Sequence, residues 1–227
     1  MKKSGIYLTE DGSHSYVSDQ FGESYHSRHG AVQESQHVFI NAGLMAKKSQ
    51  STIHVLEMGF GTGLNAFMTL IEAIRLEKKI HYLGIEAFPI AVEDILKLNF
   101  VDELNALEYE PLFQQMHTLE SHQTSQLHSY FHFEKRIMDI IELESPSIFD
   151  VIYFDAFAPA AQPQLWESEL LSKMYKALRP GGILVTYCAK GVVKRTLKSV
   201  GFKIEAFPGP PGKREMTRAV KSIDCHL

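Results

Sequence analysis

The fold of this chain is decided by the stretch Glu57-Met58-Gly59-Phe60-Gly61-Thr62-Gly63. The stretch follows the apolar run 53–56, in which His54 is the only polar residue, and it precedes a helical pattern over 64–76. An apolar strand, a glycine loop headed by an acid, and a helix together open a nucleotide-binding βαβ unit. The glycines are needed because the backbone turns tightly there and lies close to a ligand, where a Cβ would collide.

The spacing of the glycines separates this loop from other nucleotide-binding loops. It has the pattern E-x-G-x-G-x-G, whereas the NAD fingerprint is G-x-G-x-x-G and the phosphate loop ends in Gly-Lys followed by Ser or Thr. The acid-headed pattern resembles the first motif of the S-adenosylmethionine (SAM) methyltransferases. For the loop taken alone, another nucleotide-binding fold or a purely structural turn is the alternative.

Acids at two later positions fit the same interpretation. Glu86 ends the apolar run 82–85, roughly 20–30 residues after the loop, where a carboxylate typically accepts hydrogen bonds from the ribose hydroxyls. Asp139 follows a strand pattern over 130–134, where SAM enzymes commonly place an acid against the adenine amino group. The alternatives are a solvated acid at a strand end for Glu86 and an ordinary helix N-cap for Asp139.

The composition indicates an ordinary globular enzyme. A length of 227 residues suits one α/β domain with small additions, and 44% hydrophobic with 22% charged residues is typical of that class. No run of about 18 apolar residues is present, and no apolar stretch follows the two N-terminal lysines, so we expect neither a membrane span nor a secretory signal. Cys188 and Cys225 form no disulfide framework and no metal-ligand spacing, which favours a reducing cytoplasm and no bound metal.

The charge is distributed unevenly along the chain. The net charge is −4, yet residues 176–227 hold eleven Lys or Arg and three acids, a balance of +8. The first 175 residues hold twelve basic and twenty-four acidic residues, a balance of −12. A basic last quarter on an acidic body predicts one positive face toward a polyanion, or simply a solvated helix covered by Lys and Arg.

From about residue 50 the chain alternates strand and helix patterns, which predicts a doubly wound, mainly parallel sheet. The last two strand patterns, 203–206 and 216–220, are joined too tightly for a right-handed crossover, so this pair should be antiparallel. We predict an α/β, Rossmann-like SAM-dependent methyltransferase fold with a mostly parallel seven-stranded sheet and an antiparallel last strand. Residues 99–125 carry the weakest pattern, and we expect helices there.

The chain is expected to divide at about residue 48. Residues 1–48 differ in pattern from the rest of the chain and include a predicted hairpin with an Asp11-Gly12 turn. We predict that they form an N-terminal extension that caps the sheet, and that residues 49–227 form the SAM-dependent methyltransferase domain.

A buried strand that ends at Asp155 carries the candidate catalytic group. Ligands of open parallel sheets lie at the carboxyl ends of the strands, so Asp155 is expected near the reactive end of a bound cofactor. A carboxylate there can orient an amine and accept its proton. Pro159 presets the shape of the following loop, while Phe157 and Trp166 offer flat surfaces on which a base can stack. The structural alternative is a helix cap at Asp155 with both aromatic residues in the core.

Several segments together resemble the methyltransferase half of the bifunctional tRNA wobble-uridine enzyme family MnmC, and its stand-alone relatives that lack the oxidase half. The resemblance extends from about residue 10 to residue 220, and the chain is too short to hold an additional FAD-binding oxidase domain, so no FAD is expected. The segments are Glu34-Ser35-x-His37-Val38-Phe39, Gly59-Phe60-Gly61-Thr62-Gly63-Leu64-Asn65, Asp155-x-Phe157-x-Pro159-x-x-x-Pro163-x-x-Trp166 and Lys213-Arg214-Glu215-Met216.

The resemblance implies methyl transfer from SAM to the exocyclic amine of 5-aminomethyl-2-thiouridine, or its unthiolated form, at the tRNA wobble position. It implies that Asp155 favours the free amine and aims its lone pair. It implies tRNA as partner, with a separate oxidase or other wobble-uridine modification enzyme acting upstream. The implied cofactor contacts are Glu57, Gly59, Phe60, Gly61, Thr62, Gly63, Asn65, Glu86 and Asp139, and the implied substrate contacts are Phe157, Pro159, Trp166, Lys213 and Arg214.

Lys213 and Arg214 are expected on the tRNA backbone, where affinity is largely electrostatic, unless they only solvate a loop. The positive face is expected to extend from these two residues over Lys190, Lys194, Arg195 and Lys198.

Two other functions fit parts of the sequence. The segments 149–155 and 175–182 resemble the polyamine aminopropyltransferases, which share the fold and use decarboxylated SAM with a diamine. The acidic pocket of that family does not explain the basic last quarter. The other alternative is an RNA-binding module that has kept the fold and lost catalysis, against which the intact Glu57, Glu86 and Asp155 count.

Overall fold

The N-terminal segment forms a hairpin and a set of short helical turns. The computed structural model describes residues 5–223, so Cys225 and the two N-terminal lysines lie outside the described residues. Strands β1 (Gly5–Leu8) and β2 (His14–Val17) pair antiparallel across a turn that holds Gly12 at φ 89°. Helix α1 (Ala31–Ser35) continues as a π-helical turn over Gln36–Asn41, which buries Val38, Phe39 and Ile40.

An eight-stranded sheet forms the centre of the molecule. Its order in space is β5-β6-β4-β3-β7-β8-β10-β9, with the neighbours from β6 to β8 parallel, β10 antiparallel to both of its neighbours, and β5 antiparallel at the opposite edge. The strands are β3 (Thr52–Met58), β4 (Lys79–Glu86), β5 (Thr124–His128), β6 (Phe131–Ile137), β7 (Phe149–Phe154), β8 (Leu178–Thr186), β9 (Lys203–Pro208) and β10 (Glu215–Val220).

Helices and the N-terminal segment cover the sheet and create two apolar cores. Apolar side chains of α2 and of the N-terminal segment meet one face, where the rings of Phe39 and Tyr153 lie 5.2 Å apart. Apolar side chains of α6 and α7 meet the other face. The helices are α2 (Leu64–Leu76), α3 (Val92–Ile95), α4 (Phe100–Glu103), α5 (Glu110–Thr118), α6 (Ser168–Ala177) and α7 (Gly191–Ser199).

The predicted fold class is confirmed, with one strand more than expected. The additional strand, β5, begins at the end of the segment with the weakest pattern, directly after the helices that were expected there. Leu127 is its one buried residue and its other side chains are exposed or half-buried, so the apolar alternation that marks a strand is missing. Between β6 and β7 the chain forms a single 3-10 turn, Ile140–Glu142. The division at residue 48 stays a prediction.

Candidate active site

The carboxyl ends of β3, β4 and β7 meet at a cavity of about 420 Å³. The glycine loop between β3 and α2 forms one wall, with Gly59, Gly61 and Gly63 at φ 87°, 49° and 75°. A Cβ at Gly61 would lie 2.8 Å from the ring of Tyr25, and one at Gly63 would lie 2.6 Å from Nε2 of His117. The loop therefore requires glycine for its backbone conformation as well as for space. Such a tight, concave loop at a helix start suits the close approach of a nucleoside-containing ligand like SAM.

Glu86, at the end of β4, is tied to the backbone of this wall. Its Oε2 accepts a hydrogen bond from the Gly61 amide at 2.7 Å, and its Oε1 accepts one from the Phe88 amide at 2.8 Å. Burial raises the pKa of Glu86, and these two amides oppose the shift. Glu86 lines the cavity, and each carboxylate oxygen has a further lone pair for a ribose hydroxyl.

Asp139 caps a helical turn and also lines the cavity, while its contact with adenine stays a prediction. Its side chain caps the 3-10 turn after β6, accepting from the Ile141 amide at 3.0 Å. It also lines the cavity, on the same side as Met138 and Ile140. The capping contact therefore does not remove the residue from the site.

Glu57, Asn65 and Asp155 form a connected group below the loop. Asn65, near the start of α2, donates through Nδ2 to Glu57 Oε1 and to Asp155 Oδ2, both at 2.9 Å. Asn65 and Asp155 line the cavity. Glu57 is 0% exposed and does not line it. The acid that heads the motif thus touches the site through Asn65, which differs from the direct cofactor contact expected from the sequence.

The surroundings of Asp155 make its carboxylate a stronger base than that of an ordinary aspartate. Burial raises its pKa from 3.8 to about 8, and the nearby carboxylate of Glu34 adds to the rise. The hydrogen bond from Asn65 and the charge of Lys213 act in the opposite direction. Strong desolvation combined with specific charged neighbours in a cleft is typical of functional carboxylates.

Of the expected substrate contacts, Phe157 and Lys213 line the cavity, whereas Pro159, Trp166 and Arg214 do not. Trp166 is buried with its ring 4.9 Å from that of Phe154, and its Nε1 donates to the Phe157 carbonyl at 2.9 Å. Its faces therefore pack inside the protein, and it holds the loop that presents Phe157.

Lys213 is not free at the surface, as a backbone-binding lysine was expected to be. Its Nζ lies 2.5 Å from Glu34 Oε1 and 4.1 Å from the centre of the Tyr187 ring. Arg214, in contrast, is exposed. The long-range pair with Glu34 directs Lys213 inward, while its neighbour in the chain points to solvent.

The N-terminal segment supplies a wall of the cavity to which the sequence analysis assigned no residue. Phe21 and Tyr25 both contact Phe157, with ring centres 5.0 and 5.1 Å apart. His26 is held between Ser15 and the glycine loop, and burial lowers its pKa to about 4, so it is neutral. Glu34 stood in a segment shared with the MnmC family, which was the one signal that could have marked it.

Four of the eleven basic residues of the last quarter lie on α7 or directly before it. Lys190, Arg195 and Lys198 are exposed, whereas Lys194 pairs with Glu215 at 2.7 Å. Within residues 5–223, no group of three or more His, Cys, Asp or Glu side chains is arranged to hold a metal ion. Nor does this part of the chain contain a helix of the length and apolarity needed to cross a membrane.

The fold and the site together define a class, the α/β enzymes that bind a nucleoside cofactor at a glycine loop after the first central strand. Comparison with known proteins identifies the class further. Residues 102–222 match the family described as S-adenosyl-L-methionine-dependent methyltransferase. The chain belongs to this family, and SAM is its methyl donor.

The most informative relatives carry the name MnmC. The chain is 32% identical over 226 residues to the tRNA 5-methylaminomethyl-2-thiouridine biosynthesis bifunctional protein MnmC of Aromatoleum aromaticum, covering 94% of this chain and 34% of that protein. It is 31% identical over 211 residues to the protein of the same name from Leptospira interrogans, covering 88% and 33%. The chain thus spans about a third of the length of these curated relatives, and it is an MnmC-like methyltransferase.

A solved structure shares the fold. The crystal structure of MNMC2 from Aquifex aeolicus superposes with a TM-score of 0.76 at 23% identity, over 99% of this chain and 71% of that one.

Proposed function

We propose that this protein transfers a methyl group from SAM to the aminomethyl group of 5-aminomethyl-(2-thio)uridine at the wobble position of tRNA. The names of the relatives support a substrate in the synthesis of 5-methylaminomethyl-2-thiouridine. The chemistry of the cavity supports an amine acceptor.

The observation that carries the proposal is the carboxyl of Asp155. An alkyl amine is mostly protonated at neutral pH, and a protonated amine has no lone pair with which to attack carbon. An ordinary carboxylate is too weak a base to change this, but a carboxyl whose pKa is raised to about 8 is much closer to the amine in basicity. In its ionised form, whose share grows as the pH approaches 8, Asp155 can therefore accept the ammonium proton and leave a neutral nitrogen beside it.

The remaining residues of the cavity bind and orient. Bound SAM supplies an electrophilic methyl group on a sulfonium. The glycine loop and Glu86 hold the nucleoside part of such a ligand, as their backbone geometry and free lone pairs allow. Phe157 and Tyr187 offer aromatic surface for a pyrimidine on the other side of Asp155. Glu34 and Lys213 neutralise one another beside it, so the site can accept a neutral base.

The tRNA is proposed to dock along α7. The exposed Arg195 and Lys198 on this helix, Lys190 directly before it and the exposed Arg214 form the basic α7 face. An acidic body repels a polyanion, so productive binding requires this face. Because Lys213 is already paired, we propose that its role lies within the cavity rather than on the phosphate backbone.

Nucleoside analysis of tRNA from a strain that lacks this protein tests the proposal. The expected result is accumulation of the aminomethyl nucleoside and loss of the methylaminomethyl nucleoside, restored by the wild-type chain but not by Asp155→Ala. Unchanged nucleosides in the deletion strain would refute the assignment.

Isothermal titration separates the two alternative functions. A methyltransferase binds SAM, an aminopropyltransferase prefers decarboxylated SAM, and a non-catalytic RNA-binding module binds neither. We expect tight binding of SAM alone, and a preference for decarboxylated SAM would favour the polyamine enzyme.

A further inference from the structure

The amide of Asn65 connects the acid of the glycine motif to the candidate catalytic acid. An asparagine NH₂ group has two protons, and both are used here: one is donated to Glu57 and the other to Asp155, each at 2.9 Å. Asn65 is 3% exposed, and its Oδ1 has no hydrogen-bond partner among the described residues. The two carboxyls thus share a single, buried amide.

The orientation of that amide follows from its neighbours. A flipped amide would direct Oδ1 at both carboxyls, where it would face another acceptor whenever either carboxyl is ionised, as Asp155 is when it acts as a base. The nitrogen therefore faces the acids, and Glu57 on one side prevents the group from turning away from Asp155. Thr69, one turn further along α2, donates to the main-chain carbonyl of Asn65 at 2.7 Å and makes no hydrogen bond to its side-chain amide.

Glu57 cannot contact a ligand in the cavity directly. It is fully buried, it does not line the cavity, and its Oε2 is without a hydrogen-bond partner among residues 5–223. A fully buried carboxyl is costly and is retained where it serves a defined partner. The hydrogen-bonded partner here is Asn65, and the buried Tyr82 hydroxyl is a second polar neighbour of the carboxyl.

We propose that Glu57 and Asn65 form a positioning relay for Asp155, in which Glu57 fixes the Asn65 amide and this amide fixes Oδ2 of Asp155. The other oxygen, Oδ1, makes no hydrogen bond within the described residues and is left for the acceptor amine. Insofar as it concerns that amine, the inference rests on the proposed function. It changes the role of the motif acid from cofactor contact to support of the base.

The relay predicts a change in Asp155 that can be measured without any tRNA. Donation from Asn65 stabilises the ionised form, so its loss should raise the pKa of Asp155 above the wild-type value. Release of Oδ2 should also let the carboxyl rotate, and misplacement of a reacting group of this kind costs about 10²-fold in rate.

The experiment uses the full chain with Asn65→Ala, Glu57→Leu and Glu57→Gln. The Gln variant keeps a carbonyl oxygen that can accept from Asn65, so it is the conservative control. Thr69→Val is the matched structural control, since it removes a buried hydrogen bond on the same helix and leaves the relay intact. Three quantities are measured: the pKa of Asp155 by carboxyl-carbon NMR, the affinity for SAM by calorimetry, and the single-turnover rate with tRNA across pH.

Support requires a raised Asp155 pKa and a slower transfer in Asn65→Ala and Glu57→Leu, with SAM affinity and the rate of Glu57→Gln each within about threefold of wild type. An unchanged Asp155 pKa in Asn65→Ala would overturn the relay. The relay would also be overturned if Asn65→Ala lost as much SAM affinity as transfer rate, because Asn65 would then be a cofactor contact. An unchanged Asp155 pKa and transfer rate in Glu57→Leu would show that Glu57 is not part of the relay.

If Asn65→Ala does not fold, Asn65→Ser replaces it, because a serine hydroxyl is too short to reach both acids. If the wild-type protein transfers no methyl group to tRNA while the NMR shift is present, the proposed function fails and the relay stands. If transfer occurs and the NMR shift is absent, the relay fails and the function stands.

Discussion

Replacement of Asp155 by asparagine should make the protein more stable at neutral pH while it abolishes methyl transfer. The folded-state pKa of about 8 lies above the ordinary value of 3.8, so the stability contributed by this group is present below pH 3.8 and is lost as the pH rises to about 8. Each pH unit in that window costs about 1.4 kcal/mol, which amounts to ~4 kcal/mol by pH 7. Because the carboxyl is partly exposed to the cavity, screening reduces the expected gain to about 1–3 kcal/mol.

The variant keeps the contact that the wild-type side chain makes. The Oδ1 of an asparagine can accept from Asn65 as the carboxylate does, so the fold should be retained. What is lost is the base, and orienting or general-base groups contribute about 10²–10⁴ in rate. Affinity for SAM should change little, since the glycine loop and Glu86 are untouched.

Urea unfolding of both proteins at several pH values from 4.5 to 9, with single-turnover transfer at each, tests both parts. The gain should grow with pH and level off above about 8. Asp150→Asn on the same strand is the control, and it should make the protein less stable. Asp150 accepts from the His54 amide at 2.8 Å and pairs with Arg179 at 3.3 Å, and the substitution removes the charge of that pair. A gain that is absent at pH 7.5, or equal at every pH, would refute the reasoning, as would a loss of transfer below tenfold.

Three further predictions concern the loop, the tRNA surface and acid stability. Gly61→Val should abolish SAM binding in a folded protein, since φ 49° and the Tyr25 ring leave no room for a branched side chain; unchanged calorimetric affinity would contradict it. Arg195→Ala with Lys198→Ala should weaken tRNA binding and reduce its log–log salt slope by about 0.7–0.9 per lost contact, whereas reversal of Glu108 should not; an unchanged slope would move the docking surface elsewhere. Burial lowers the pKa of His117 to about 3, so the stability that this residue contributes is complete above pH 6.5 and is lost as the pH falls. His117→Leu should reduce the loss of stability in acid by up to ~1.4 kcal/mol per pH unit. If urea unfolding gives the same pH dependence for both proteins, the prediction is wrong.

Much of the architecture could be predicted because it depends on neighbours within a few residues. The glycine loop is an example, because it depends only on local features: φ values that glycine adopts readily, an apolar strand before the loop and a helix after it. The helix begins at Leu64 and ends at Leu76, as predicted. The antiparallel last strand followed from the short connection before β10. The edge strand β5 could not be predicted, because an exposed strand carries no apolar alternation.

The candidate site divides in the same way. The sequence by itself determined which strand ends meet and therefore that Asp155, Glu86 and the glycine loop share one edge of the sheet, since the carboxyl ends of parallel strands converge. Only the tertiary structure decided what each side chain does there. Glu57 is withdrawn behind Asn65, and Lys213 is drawn into the cavity by Glu34, 179 positions away in the chain. Burial and long-range charge pairs set these roles, and neither is encoded in a local pattern.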